Sequence, residues 1–251
     1  MLVEAERVAT VLRSLPDATL RATFLRDYLR TGDEATVARA LDSLCAAGAR
    51  AEGSAREPML AVVMTLAGLA DDPALDRLGQ TAAQLGLPSL ARLLRRAPEL
   101  PNDEVVLRTP DYGVGRELSL GERKALARRP NRAAFDKLLR DPHPLVVGQL
   151  LENPRLTEDD IVRLVARRPA NPEAQRAVAR TAWLCRPRVR MALIHNPGTP
   201  SAIAVPLLAA CTRPELAEVR NSGECSLPVR ETADELFGLR SLPPPSIRED
   251  S

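Results

Sequence analysis

Arginine is the residue type in this chain whose placement could do chemical work. Two pairs, Arg128/Arg129 and Arg167/Arg168, each stand before a proline in the same string, Ala-Arg-Arg-Pro. With Arg163, Arg176 and Arg180 close by, and Arg186, Arg188 and Arg190 following, they would make a basic strip able to hold carboxylates or phosphates. Trp183, the single tryptophan, lies among them and joins this candidate set as an aromatic that could rest on a ligand. Plainer roles compete. Arginines in a last helical turn face the negative end of the helix dipole, contributing roughly a few tenths of a kcal/mol each. A large aromatic mostly supplies buried area, so Trp183 fits better as a plug between helical units.

No rival chemistry stands out. His143 lies between two prolines, and His195 is expected at an exposed helix end, so neither is paired with a nucleophile by sequence. Cys45, Cys185, Cys211 and Cys225 lie far apart without a C-x-x-C, which removes the metal and dithiol readings. Gly113-Val114-Gly115 lacks the third glycine and the preceding strand of a phosphate loop. The reading is therefore a non-enzymatic protein with no catalytic residue, no metal and no cofactor.

The charge distribution agrees with a binding role. Residues 1–119 hold 14 basic and 17 acidic side chains, residues 120–190 hold 16 and 8, and residues 191–251 hold 5 and 8. A basic middle between mildly acidic ends points to an anionic partner, an acidic protein surface first and nucleic acid second. Only six residues are aromatic, too few for stacking on single-stranded bases.

The elements that must position these arginines are helices, since Leu and Ala dominate the apolar fraction. Residues 1–97 read as a bundle of five or six helices. The first ends at Pro16, Asp17 and Asp33 cap the second and third, and Pro58 begins a fourth that is apolar on nearly every face. Asp72-Pro73 and Pro88-Ser89 start two more. Residues 98–117, rich in proline and glycine, read as a linker with a short helix near 102–107. From 118 to 213 the chain repeats itself. Residues 144–167 lie over 187–210 without a gap at an offset of 43, with eight of 24 pairs identical, Asn153-Pro154 over Asn196-Pro197 among them. The Asn-Pro steps read as turns, because asparagine bonds its own backbone beyond a helix and proline forbids continuation. Leu118-Ser119 and Leu156-Thr157 each open a helix that closes on Ala-Arg-Arg-Pro, and a further helix follows in each unit. Residues 214–251 read as a C-terminal extension, helical at 228–240 and disordered at its end.

These strings, with Asp141–Pro144, Leu150–Pro154 and Leu193–Pro197, resemble bacterial HEAT-like repeat proteins of the leucine-rich-repeat-variant kind, over about two fifths of the chain. The resemblance implies an all-α protein in which an N-terminal helical bundle precedes a short HEAT/armadillo-like α-solenoid. It implies no ligand and adds no catalytic residue. HEAT-like DNA glycosylases, the alternative, also need a carboxylate in a basic groove, and Glu173 is the only acidic residue near Trp183 in sequence. The expected function is a non-catalytic protein–protein scaffold or adaptor. The start, MLVEAERVATVLRSL, carries glutamates where a secretion signal carries positive charge, and the longest apolar run spans 12 residues. The expectation is thus a cytoplasmic protein without a membrane partner.

Overall fold

The computed structural model describes residues 2–50, 56–96, 107–129 and 131–240. Among the described residues every regular element is helical and no strand occurs. Six helices make the N-terminal half: α1 (Leu2–Ser14), α2 (Ala18–Thr31), α3 (Glu34–Ala49), α4 (Arg56–Gly68), α5 (Pro73–Gln84) and α6 (Pro88–Leu93). Asp17, Asp33 and Asp72 cap α2, α3 and α5 by accepting the backbone N–H groups of Leu20, Thr36 and Ala74. Each such cap satisfies an amide that the helix itself leaves unpaired. The apolar α4 lies at the centre, with Met59, Val62, Val63 and Leu66 buried, each stabilising the fold by about 1.5–3 kcal/mol.

The unit expected first in the repeat holds α7 (Leu120–Arg128), a 3₁₀ turn (Arg132–Ala134) running into α8 (Phe135–Leu138), and α9 (Pro144–Leu151). The second unit is α10 (Glu158–Ala166), α11 (Pro172–Ala179), a 3₁₀ turn (Ala182–Cys185) and α12 (Pro187–His195). Three devices recur. Capping boxes, Ser119 with Glu122 and Thr157 with Asp160, start α7 and α10. Asn131 and Asn171 cap the element after them. Last, the buried amides of Asn153 and Asn196 reach back to the first helix of their own unit. Asn153 Nδ2 donates to Ala127 O (2.7 Å) and Arg129 O (2.9 Å), and Asn196 Nδ2 to Val165 O (2.7 Å) and Arg167 O (3.0 Å). Their Oδ1 atoms accept the N–H two residues on, of Arg155 and Gly198. The asparagines thus make the expected turns and also close each unit, supplying donors to helix-end carbonyls.

These bonds correct the register of the arginine strings. Ser119, Glu122 and Arg129 correspond to Thr157, Asp160 and Arg167, so the last helical residue is Arg128 in one unit and Ala166 in the other. Arg129 and Arg167 hold equivalent places, whereas Arg128 and Arg168 have no arginine counterpart.

Beyond the second unit lie α13 (Ser201–Leu207), α14 (Arg213–Asn221) and α15 (Leu227–Leu239). The expected helix near 228–240 is α15, but α14 is an addition, opened by a Thr212–Glu215 capping box. Leu216, Val219, Val229, Ala233 and Leu236 share one core with Leu193 and Ile203, so packing does not stop at residue 213. Arg240 secures the end by donating to Ala49 O (3.4 Å), Ala209 O (2.9 Å) and Cys211 O. The disorder expected at the C-terminal end concerns residues 241–251, outside the described residues, as is 102–106 of the short helix expected in the linker. Residues 107–117 are held to the first unit. Tyr112 donates to Asp141 Oδ2 (2.7 Å), Arg123 Nη1 meets both Asp141 oxygens (2.7 and 2.6 Å), and Arg116 pairs with Glu122.

The two halves meet through α4, which packs on α13 and α11. Gly68 allows the closest approach: a Cβ there would stand 3.1 Å from the Ala179 carbonyl.

Candidate interaction site

Most of the arginines proposed for a basic strip are engaged within the protein. Arg163 pairs with Asp136 (2.9 Å) and with buried Asp160 (2.5 Å). Arg168 pairs with Glu224 (2.7 Å) and donates to His195 O (3.3 Å). Arg176 and Arg180, one helical turn apart, both bind Asp71 of the N-terminal half (2.7 and 2.9 Å), and Arg176 also binds Glu173. Arg167 donates to Arg140 O (2.8 Å), and burial lowers its pKa from the usual arginine value. Arg128 donates to Gln149 (2.8 Å). Arg129 is exposed and makes no side-chain bond to a described residue. Of the four charges expected in a row, Arg128, Arg167 and Arg168 are bonded within the protein and Arg129 is not. Asp71 was out of reach of sequence reasoning, since more than a hundred positions separate it from its partners. The only hint was the i, i+4 spacing of Arg176 and Arg180, which aims both at one place.

Arg132 adds a further link across units, with its guanidinium on both oxygens of Asp160 (2.7 and 3.0 Å). Burial would raise the Asp160 pKa. The hydrogen bonds from Arg132, Thr157 and Arg163 outweigh that and hold it well below the usual carboxylate range.

Where the halves meet, a cleft of about 420 Å³ stays open. Its floor is one face of α4, with Leu60, Ala61, Met64, Thr65 and Gly68. One wall is α2, through Ala18, Ala22 and Arg26. The other is the 3₁₀ turn, through Ala182, Leu184 and Cys185, with Arg180 and Arg190 beside it. Arg190 holds that turn by donating to Leu184 O (3.3 Å) and Cys185 O (2.7 Å). Of the basic strip read from the sequence, Arg180 and Arg190 reach this cleft. Trp183 sits half-buried in the same turn and packs against the repeat core.

A third arrangement escaped sequence reading. His195 is half-buried, not exposed, with Nδ1 3.7 Å from Cys225 Sγ and Nε2 3.4 Å from Glu218. The order thiol–imidazole–carboxylate matches a nucleophile relay. Its chemistry does not: Cys225 is 3% exposed, its Sγ contacts the Ile194 carbonyl, and burial raises the thiol pKa. A reactive cysteine needs the reverse, a stabilised and accessible thiolate. Among the described residues no cluster of His, Cys, Asp and Glu could hold a metal ion, and no helix is long and apolar enough to cross a membrane.

No family model, curated protein or solved structure matches this chain.

Proposed function

We propose that this protein is a non-catalytic binding module, a scaffold or adaptor whose helical units form a short HEAT-like stack and capture an acidic segment of a partner protein. One observation carries the reading: most arginines of residues 120–190 bond internal carboxylates or carbonyls, which leaves few cations there without an internal partner. Duplex DNA presents a charge about every 1.7 Å along its axis and rewards a continuous row of cations. A local acidic protein segment needs only a few. A cytoplasmic setting suits four unpaired cysteines, three of them buried. The buried Cys225 thiol speaks against catalysis at the one relay-like arrangement.

The test is fluorescence anisotropy with a 20-base-pair duplex between 50 and 200 mM salt, beside an acidic test polypeptide, poly-glutamate. Poly-glutamate should bind and duplex should bind weakly, with a shallow salt slope. Saturable duplex binding that falls about 10³-fold or more over that range, as six or more phosphate contacts require, would replace the adaptor reading with a nucleic-acid one. Charge reversal belongs at Arg129, because Arg128, Arg167 and Arg168 hold Gln149, a carbonyl and Glu224 and their loss mixes stability with binding.

A further inference from the structure

From the cleft between the halves we infer a docking groove for one occupant, a short acidic amphipathic helix of a partner protein. The inference deepens the adaptor reading and rests on it. The shape comes first. The α4 residues that line the floor, Glu57, Leu60, Ala61, Met64, Thr65 and Gly68, follow the spacing of a single helix face over three turns, about 17 Å long. Facing them, Ala18, Ala22 and Arg26 of α2 fall four residues apart, again one face. Two helix faces side by side make a straight trough, the shape that a third helix fills by setting its side chains between theirs.

The lining is apolar and small on the floor, with Leu60, Ala61, Met64 and Leu184, so the face presented to it must be apolar. The rim sets the charge. Four arginines border the trough: Arg21 holds the one lining carboxylate, Glu57, at 2.6 Å, Arg180 pairs with Asp71 beyond the lining, and Arg190 bonds two carbonyls, which leaves Arg26 and Arg190 without a carboxylate. Arg26 is exposed and makes no bond to a described residue. An occupant with apolar residues at i, i+3/i+4 and i+7 and glutamates or aspartates on its flanks meets both demands. The second wall has a particular origin. Thr181 occupies the place that Asp141 holds in the first unit, each accepting the N–H two residues on. The path from there to the proline opening the next helix is three residues longer in the second unit, and this excess is the 3₁₀ turn that carries Ala182, Leu184 and Cys185.

Cys185 is the reporter. It is exposed in the wall, while Cys45, Cys211 and Cys225 are buried. The probe is a 15-residue leucine/glutamate amphipathic peptide, compared with its leucine/lysine counterpart and with decanoate. The acidic peptide should bind saturably and slow maleimide alkylation of Cys185 in the full chain at least tenfold. Arg26→Glu and Ala182→Glu, both at exposed positions, should each weaken it about tenfold, equivalent to about 1.4 kcal/mol, with unchanged melting temperature. Three results overturn the groove: acidic peptide binding without protection of Cys185, equal binding of the lysine peptide, or protection by decanoate alone, which makes the cleft a small-amphiphile site. Each of them leaves the duplex measurement, and with it the adaptor reading, to be decided separately.

Discussion

Replacing Asn153 by alanine removes three hydrogen bonds at once. Two are donated to the carbonyls of Ala127 and Arg129, at 2.7 and 2.9 Å, and one is accepted from the Arg155 N–H at 3.0 Å. Asn153 is 5% exposed and Ala127 fully buried, so the Ala127 carbonyl would lose its donor away from water. Leaving a buried acceptor unpaired costs about 1–3 kcal/mol, and each of the other two bonds about 0.5–1.5 kcal/mol net. The expected loss is about 3 kcal/mol, a fall of roughly 6–12 °C in melting temperature for a chain of this size. Asn196→Ala makes the internal comparison. Val165 O, which Asn196 serves, also accepts Gln175 Nε2 at 3.3 Å, so one donor survives the substitution. The second loss should therefore be smaller, about 1–3 kcal/mol. Urea unfolding followed by circular dichroism gives both values by linear extrapolation. Asn153→Asp is the control, since a carboxylate of the same shape can donate nothing to the two carbonyls and must do at least as much damage as alanine. A loss below about 1 kcal/mol for Asn153→Ala, or a neutral aspartate, would mean that the clamp does not hold the unit closed.

Acid should loosen the repeat region. The folded pKa values of Asp160 and Glu122 lie below their ordinary values, that of Glu122 at about 2 because Arg116 and Ser119 bond it. The stabilisation they give is full above the unfolded carboxylate pKa of about 4 and is lost progressively as pH falls from there through the lower folded pKa. Urea midpoints from pH 7 to 3 should drop for the wild type and drop less for Asp160→Asn; an equal drop excludes Asp160 as a source. Arg123→Met should cost about 3–5 kcal/mol by leaving the fully buried Asp141 carboxylate without its cation, and a urea-measured loss under about 1 kcal/mol contradicts that pairing. Ellman's reagent should find one fast thiol, Cys185, in the native protein and four in urea, because burial pushes Cys45 and Cys211 up to about 12. Two or more fast native thiols would show that the core is open.

Local signals were legible in the sequence where the physics is local. Asp17, Asp33 and Asp72 cap the helices their positions announce, and Ser119 and Thr157 begin equivalent ones. The Asn-Pro steps were read correctly as turns, but their reach back to Ala127 and Val165 was not, because a side-chain bond spanning roughly 26–31 positions leaves no local trace. The arginine strings misled by identity: Ala-Arg-Arg-Pro recurs in letters while the helix end shifts by one residue, so the side chains leave in different directions. Pairings set only by the fold, such as Asp71 with Arg176 and Arg180 or His195 with Cys225, were beyond reach for the same reason.

Recurrence and departure carry different information in such a chain. What both units share, the capping box, the capping asparagine and the clamping asparagine, is spent on satisfying helix-end amides and carbonyls, a demand every unit has. A residue that recurs is thereby accounted for by architecture. The positions that break the pattern have no such duty: Arg168, two past the last helical residue, reaches Glu224, and the three extra residues before α12 are folded into a turn that the first unit lacks. That turn is costly to hold, since Arg190 is committed to its Leu184 and Cys185 carbonyls, and Leu184 must be buried to anchor it. The first unit closes without any of this. The second therefore carries structure beyond what closure needs, and it does so beside α2 and α4, at the edge of a cleft lined by both halves of the described fold.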